Sequence, residues 1–323
     1  MKLPRNVRFA ALCIIAFFAQ GAFAAYPERP VRLLVPSSSG SGPDAIARLV
    51  AARMGTLLSQ QIVCDNRAGA NGVIASELVA RAAPDGYTLL MTSGGHTTNP
   101  HMYRKLPYDP IADFTPITQF ITSGGLVVVV TPSFGARTIA QLIEMARAAP
   151  GKIVYASAGV GNSTHLAGEM FNQAAGVRLT HVPYKGGGPA IIDVIGGQVP
   201  LMFASGAVSI PYVKSGRLRA LGYTGPKRSE QLPDVPTLNE SGLKGFEVTG
   251  WYGLYGPARL PPAIVNRLYE TTRDAVRHPE TRQALAQLGI EPADLPPAAF
   301  VRFLKEDLLR YGRIIKAAGI EPQ

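Results

Sequence analysis

The feature that most constrains this chain is a recurring unit: a short β-branched run, a loop of glycine and serine, then an amphipathic helix. Residues 31–58 give the first instance. Val31-Arg32-Leu33-Leu34-Val35 reads as a buried strand and Pro36-Ser37-Ser38-Ser39-Gly40-Ser41-Gly42-Pro43 as a turn. Ile46, Leu49, Val50, Met54, Leu57 and Leu58 then recur at helical spacing. Asp44, a favoured N-cap residue type, is expected to open that helix, with Pro43 blocking an earlier start. A loop so poor in bulky side chains offers mainly backbone N–H and hydroxyl groups. It sits at a strand's carboxyl end and a helix's amino end, where unpaired donors and the helix dipole favour an anion.

The unit repeats. A strand at 61–65 leads to Asn66-Arg67-Ala68-Gly69-Ala70-Asn71-Gly72 and a helix at 73–83, and a strand at 87–91 ends in Thr92-Ser93-Gly94-Gly95. A polar and glycine-rich stretch at 120–125 marks a crossover. The series then restarts with a strand at 126–130, a helix at 139–148, a strand at 152–156 and the loop Ser157-Ala158-Gly159-Val160-Gly161-Asn162-Ser163 before a helix at 164–175. A strand at 177–183, Tyr184-Lys185-Gly186-Gly187-Gly188-Pro189, a helix at 190–195 and a strand at 199–203 ending in Ala204-Ser205-Gly206 follow. A strand at 218–223, a proline-rich return at 225–245, a strand at 247–255 and helices at 262–277, 280–287 and 297–318 close the chain. Alternating strands and helices imply mainly parallel sheets flanked by helices. The expected plan is α/β with a discontinuous first domain (25–122 plus 246–323) and a second domain (123–245). Ligands of open α/β sheets lie outside the strands' carboxyl ends, so the cleft between the two domains is the expected site.

The first 24 residues stand apart. Lys2, Arg5 and Arg8 precede an apolar run at 9–19 and then Ala22-Phe23-Ala24, the pattern of a secretory signal peptide cleaved after Ala24. The mature chain is thus expected outside the cytoplasm. Loss of those three basic residues lowers the net charge from +10 to +7, and the remaining Lys and Arg are scattered without interleaved aromatics, which argues against nucleic acid. Cys13 falls inside the signal, so Cys64 is left without an intramolecular partner. Its apolar neighbours Ile62 and Val63 suit a core residue better than a reactive thiol. Trp251, the single tryptophan, is also expected in a core.

Reactive chemistry finds little support. Gly40-x-Gly42-x-x-Ala45 followed by Asp65 imitates a dinucleotide fingerprint, but Pro43 interrupts it and export removes the chain from soluble dinucleotide pools. No Gly-Lys-Ser or Gly-Lys-Thr ends a glycine run, and no Gly-x-Ser-x-Gly elbow occurs. Ser163 and His165 are neighbours along a helix start, which does not set a base on a nucleophile, so His165 reads as a loop anchor. His96 and His101 make too weak a pair for a metal. The expectation is a protein without catalytic residues, cofactor or metal. Backbone amides suffice for a carboxylate, since each charge-assisted bond contributes about 1.5–3 kcal/mol.

Seven stretches then carry a family resemblance over nearly the whole mature chain. They are Arg29-Pro30-Val31-Arg32-Leu33-Leu34-Val35-Pro36, Asp65 to Gly72, Pro84-Asp85-Gly86-Tyr87-Thr88-Leu89-Leu90 and Lys105-Leu106-Pro107-Tyr108-Asp109-Pro110, followed by Ser157 to Leu166, His181 to Ala190 and Leu232-Pro233-Asp234-Val235-Pro236-Thr237. In this order they resemble the tripartite tricarboxylate transporter substrate-binding proteins, the TctC or Bug family. The resemblance implies a two-domain periplasmic binding protein of type II-like fold, with a hinge of two crossing strands and closure on a small carboxylate-bearing anion, a di- or tricarboxylate or an aromatic acid. It implies a monomer that delivers its load to the inner-membrane permease subunits of such a transporter. A related reading is presentation of the ligand to a sensor kinase; the alternative from another class is an exported enzyme.

Carried over, the resemblance places the ligand against Ser37, Ser38, Ser39, Gly40, Ser41 and Gly42, against Gly69, Ala70 and Asn71, and against Ser157, Gly161, Asn162, Ser163 and Thr164. Ser93, Ala204 and Ser205, at two further strand ends, complete the expected set. The family has an aromatic residue where Ser37 stands, two glycines where Gly40-Ser41 stands, and an aspartate where Ala204 stands. The last exchange suggests an acid without a cationic group, bulkier than a four-carbon dicarboxylate.

Overall fold

The structure, a computed structural model, describes residues 26–317 and 319–322. The signal peptide expected at 1–24 lies outside the described residues. The chain runs through β1 (Val31–Val35), α1 (Gly42–Leu58), β2 (Ile62–Asn66), α2 (Val73–Ala80), β3 (Thr88–Ser93), α3 (Gly95–Met102) and β4 (Phe114–Ser123). It continues through β5 (Leu126–Val130), α4 (Ile139–Ala148), β6 (Val154–Ser157), α5 (Ser163–Ala175), β7 (Thr180–Pro183), α6 (Gly187–Ile195), β8 (Leu201–Ser205), α7 (Gly206–Lys214) and β9 (Arg219–Tyr223). It returns through β10 (Gly250–Pro257), α8 (Pro262–Arg277), α9 (Pro279–Gln287), β11 (Ile290–Leu295) and α10 (Pro297–Ala317).

Two sheets result, ordered β11-β4-β10-β3-β1-β2 and β7-β6-β8-β5-β9. In the first, β1 lies parallel to both β2 and β3; in the second, β6 lies parallel to both β7 and β8. Each sheet also contains one antiparallel strand that arrives from the other: β10 beside β3, and β5 beside β8. The fold is therefore the two-domain α/β plan read from the sequence, the second sheet repeating the order of five strands of the first, to which β11 adds a sixth.

Burial explains the run of valines in β5. All its residues are buried; Val128 and Val130 enter one hydrophobic cluster and Val127 and Val129 the other, so both faces are covered by helices. Burying one such side chain contributes about 1.5–3 kcal/mol. In the first sheet Leu33, Val35, Leu89 and Met91 likewise face one cluster while Leu34 and Leu90 face another. Trp251 is 3% exposed and packs edge-on against Phe300 and Phe303, and Cys64 is free and half-buried beside the first cluster.

The chain passes between sheets at two adjacent places. Outbound, it leaves β4 at Ser123 and enters β5 at Leu126; inbound, it leaves β9 after Tyr223 and reaches β10 at Gly250. Thr224 ties the passages together. Its N–H donates to Leu126 O (2.9 Å), its Oγ1 accepts from Leu126 N–H (2.7 Å), and its hydroxyl donates to Val248 O (2.6 Å). A Cβ on Gly125 would fall inside the backbone of Gly225, so the two strands cross with glycine against glycine.

Several expected boundaries shift, and three elements are new. The N-cap of α1 is Ser41, whose Oγ accepts from Asp44 N–H at 3.5 Å; Asp44 is instead the third helical residue. Its carboxylate reaches back to Gly40 N–H at 2.8 Å, one residue before the cap, while Ser41 N–H bonds Ser38 O, so the arrangement resembles a capping box displaced by one residue. Helices α3 and α7 and strand β11 lie in stretches to which the sequence pattern assigns no element. Each contains an internal proline, and α3 has little apolar periodicity to show.

Candidate functional site

Three helix amino ends stand at the carboxyl edge of each sheet: α1, α2 and α3 follow β1, β2 and β3, and α5, α6 and α7 follow β6, β7 and β8. The donors these ends still offer are fixed by what the loops have already used.

In the loop after β1, Ser37 N–H donates to Val35 O, Ser41 N–H to Ser38 O and Gly40 N–H to Asp44. Ser38, Ser39 and Gly42 keep N–H groups that bond nothing among the described residues. Asp44 is the anchor. It is 2% exposed and also accepts from Arg48 Nε (3.0 Å) and Asn66 Nδ2 (2.9 Å), while the same Asn66 amide donates to Ser37 O (3.1 Å). Above all the Arg48 bond, joined by those from Gly40 and Asn66, holds its carboxyl down at about 2. Ser37 Oγ is buried and makes no hydrogen bond. Gly40 therefore contributes shape to the rim, and its N–H is already committed.

The loop after β2 is a left-handed run: φ is positive at Gly69 (124°), Ala70 (47°), Asn71 (50°) and Gly72 (90°). Asparagine visits this region readily, whereas alanine there costs about 1–2 kcal/mol. The turn aims Asn71 at α3, where its Nδ2 donates to Asn99 Oδ1 (2.9 Å) and Thr98 Oγ1 (3.5 Å), and Asn71 O accepts from Asn99 Nδ2 (3.1 Å). Ser93, at the end of β3, is half-buried and stands opposite Tyr252 of β10.

In the second unit the loop after β6 is as tightly held. Ser157 is fully buried, with Oγ 2.5 Å from His181 Nε2 and accepting from Gly159 N–H at 3.1 Å. Thr164 Oγ1 accepts from Ala158 N–H (2.8 Å) and donates to Asn162 Oδ1 (3.1 Å), and that Oδ1 caps Thr164 N–H (3.1 Å). Ser157, Asn162 and Thr164, expected as ligand donors, thus spend their side chains on the loop itself. Val160 and Ser163 keep N–H groups that bond nothing among the described residues. Ser205 is the N-cap of α7, half-buried, with no cap bond from its side chain. Ala204 corrects an expectation: it is fully buried among Val127, Val129 and Ile210, so its side chain faces the core and widens no cleft.

The two rims meet. Thr98 Oγ1 donates to Gly161 O (3.4 Å), and a Cβ on Gly161 would lie 3.1 Å from Met102 Cγ. Met102 of α3, Leu166 of α5 and Tyr311 and Ile315 of α10 form a buried cluster between the two units. Among the described residues, the rim ends after β1, β2, β3, β6, β7 and β8 carry one acidic side chain, Asp44 in the first turn of α1, which is fully engaged, and two basic ones, Arg67, which pairs with Asp65 at 2.9 Å, and Lys185, which is exposed. Asp65, the ribose-binding acid of the apparent dinucleotide fingerprint, is also held by Arg32.

Sequence reading missed the part played by α3. Thr97, Thr98 and Asn99 are 0–2% exposed, yet His96-Thr97-Thr98-Asn99-Pro100 shows neither apolar spacing nor a cap signal. Polar residues packed beneath a loop leave no periodic trace.

The family described as tripartite tricarboxylate transporter family receptor, TctC, matches residues 46–320. A UPF0065 protein from the tcbD-tcbE intergenic region of Pseudomonas sp. strain P51 is 40% identical over 292 residues, covering 90% of this chain and 87% of that protein. The periplasmic binding protein BugD is similar in structure with a TM-score of 0.83 and 36% identity over 92% of this chain and all of that one. Rpa4515 of Rhodopseudomonas palustris, solved with adipate, is similar with a TM-score of 0.85 and 34% identity over the same shares. The two sets of strand ends, the backbone donors around them and these likenesses agree: the chain belongs to the tripartite tricarboxylate transporter receptors, periplasmic solute-binding proteins of the TctC or Bug type.

Proposed function

We propose that this receptor captures a small dicarboxylate without a cationic group, by closing the two units (25–122 with 246–323, and 123–245) about the crossing strands, and delivers it to the membrane subunits of its transporter. The observation that carries the reading is the junction of the two rims at Thr98 and Gly161, with free N–H groups on either side and Asp44 already engaged. A ligand ammonium group would find no unengaged rim carboxylate, whereas carboxylates would find amides of Ser38, Ser39 and Gly42 in one unit and of Val160 and Ser163 in the other. The Ser93 and Ser205 hydroxyls, the left-handed turn at Gly69, Ala70 and Asn71, and the buried Ser37 hydroxyl complete the lining of the proposed site. Adipate, the ligand of Rpa4515, has the required chemistry. Bridging waters would let one set of amides serve acids of different length.

Calorimetric titration of the mature protein with four- to eight-carbon dicarboxylates, aromatic acids and their amino-substituted analogues tests this. Unsubstituted dicarboxylates are expected to bind more tightly than their amino-substituted analogues. Tighter binding of the amino acids than of their deaminated counterparts would refute it.

A further inference from the structure

We infer that neutral His165 is the positioning residue of the second rim. Through Nδ1 it fixes Gly161 in its left-handed conformation, and with it the free N–H groups of Val160 and Ser163 and the carbonyl that meets Thr98. The inference rests on the reading of these rims as an anion site.

His165 lies in the first turn of α5, is 5% exposed, and its Nδ1 accepts Gly161 N–H at 3.1 Å. An accepting Nδ1 sets the tautomer: the ring proton is on Nε2, which faces Glu169 Oε1 at 3.9 Å. Glu169 is itself occupied, since Tyr155 donates to Oε1 at 2.6 Å, and the Tyr155 hydroxyl also lies 3.1 Å from His165 O. The imidazole of His181 stacks on that of His165 with centroids 3.8 Å apart and planes within 18°. The two rings divide the loop between them. His165 holds Gly161 directly, while His181 meets Ser157 Oγ, the acceptor of Gly159 N–H.

Gly161 joins both units through its own hydrogen bonds, to His165 in one and Thr98 in the other. Its φ is 74°, in the left-handed region that favours glycine, and its carbonyl accepts from Thr98. Turning its N–H away from His165 would swing the preceding peptide, carrying Val160, and break the junction with α3. A ring protonated at Nδ1 could not accept from Gly161, and burial, reinforced at His181 by its neighbour ring, pushes both histidines down to about 4. Burial thus keeps His165 in its accepting form across the pH range in which carboxylates are ionised.

Asparagine and glutamine separate this role from simple filling, because an Asn amide oxygen can occupy the Nδ1 position and a Gln amide group the Nε2 position. In unliganded, 15N-labelled mature protein, a scalar coupling across Gly161 N–H and His165 Nδ1 and an Nε2-protonated ring are expected. His165→Gln is expected to speed exchange of the Gly161 amide at least tenfold, and His165→Asn to restore it. With adipate, or whichever acid the wild type binds best, His165→Gln is expected to weaken affinity at least tenfold and His165→Asn by no more than about threefold. Absence of the coupling in the wild type overturns the proposal even if neither variant folds, and so does equal behaviour of the two variants. The expected amide pattern in a protein that binds no dicarboxylate would leave His165 in its role and remove the dicarboxylate reading.

Discussion

Mild acid should destabilise this receptor before its carboxylates titrate. His96 and His165 are 1% and 5% exposed, and burial drives both to about 4. In the unfolded chain each titrates near 6.5, so between pH 7 and pH 5 the unfolded state takes up protons that the folded state refuses. Folding stability must then fall as pH drops, by about 2 kcal/mol for each histidine over those two units, or about 4 kcal/mol for the pair. His181, also near 4, pushes in the same direction. Against a typical total of about 5–15 kcal/mol, the loss is large. Asp44 does not interfere: its folded value near 2 makes its contribution full above about 4, and that contribution is lost only as pH falls through about 2. Urea unfolding followed by circular dichroism at pH 7, 6 and 5 and constant ionic strength measures the slope, and His96→Phe should make it shallower. Stability that stays within about 1 kcal/mol across that range would show that these rings are not held neutral, and the burial argument would fail.

Two further outcomes follow from the rims. Asp44→Ala strands Gly40 N–H, the Asn66 amide and the Arg48 guanidinium, so it should lower stability by about 1–3 kcal/mol and weaken acid binding, read by thermal melting and calorimetry on the same sample. Thr98→Val keeps the buried volume but removes the hydroxyl bonded to Gly161 O; it should weaken ligand affinity by about threefold to tenfold, the worth of one hydrogen bond of about 0.5–1.5 kcal/mol, and an unchanged dissociation constant would disconnect that junction from capture.

The architecture was legible because its causes are periodic. Strands such as Val31–Val35 and helices such as Ile139–Ala148 announce themselves through apolar spacing and punctuating glycines, and seven motifs in order gave the family. The site was legible only as loops. Which atom faces a ligand depends on how each loop satisfies itself, and spacing does not encode that. Serines 157 and 41 have the same composition signal as Ser38, yet one is buried against His181 and one caps a helix while the third is exposed. Ala204 misled for a related reason: strand alternation turns its side chain into the core. Helix α3 and Asn66, which hold the rims in place, gave no signal because buried polar residues that bond to neighbouring loops follow no period.

The proposed grip by main-chain amides has an evolutionary corollary. Side-chain exchanges on such a surface alter the depth and contour of the hollow while leaving the preference for negative charge untouched. Descendants of one ancestor could therefore drift from one organic acid to another without passing through a form that binds nothing, the vulnerable positions being the few whose dihedral angles, not their functional groups, are irreplaceable.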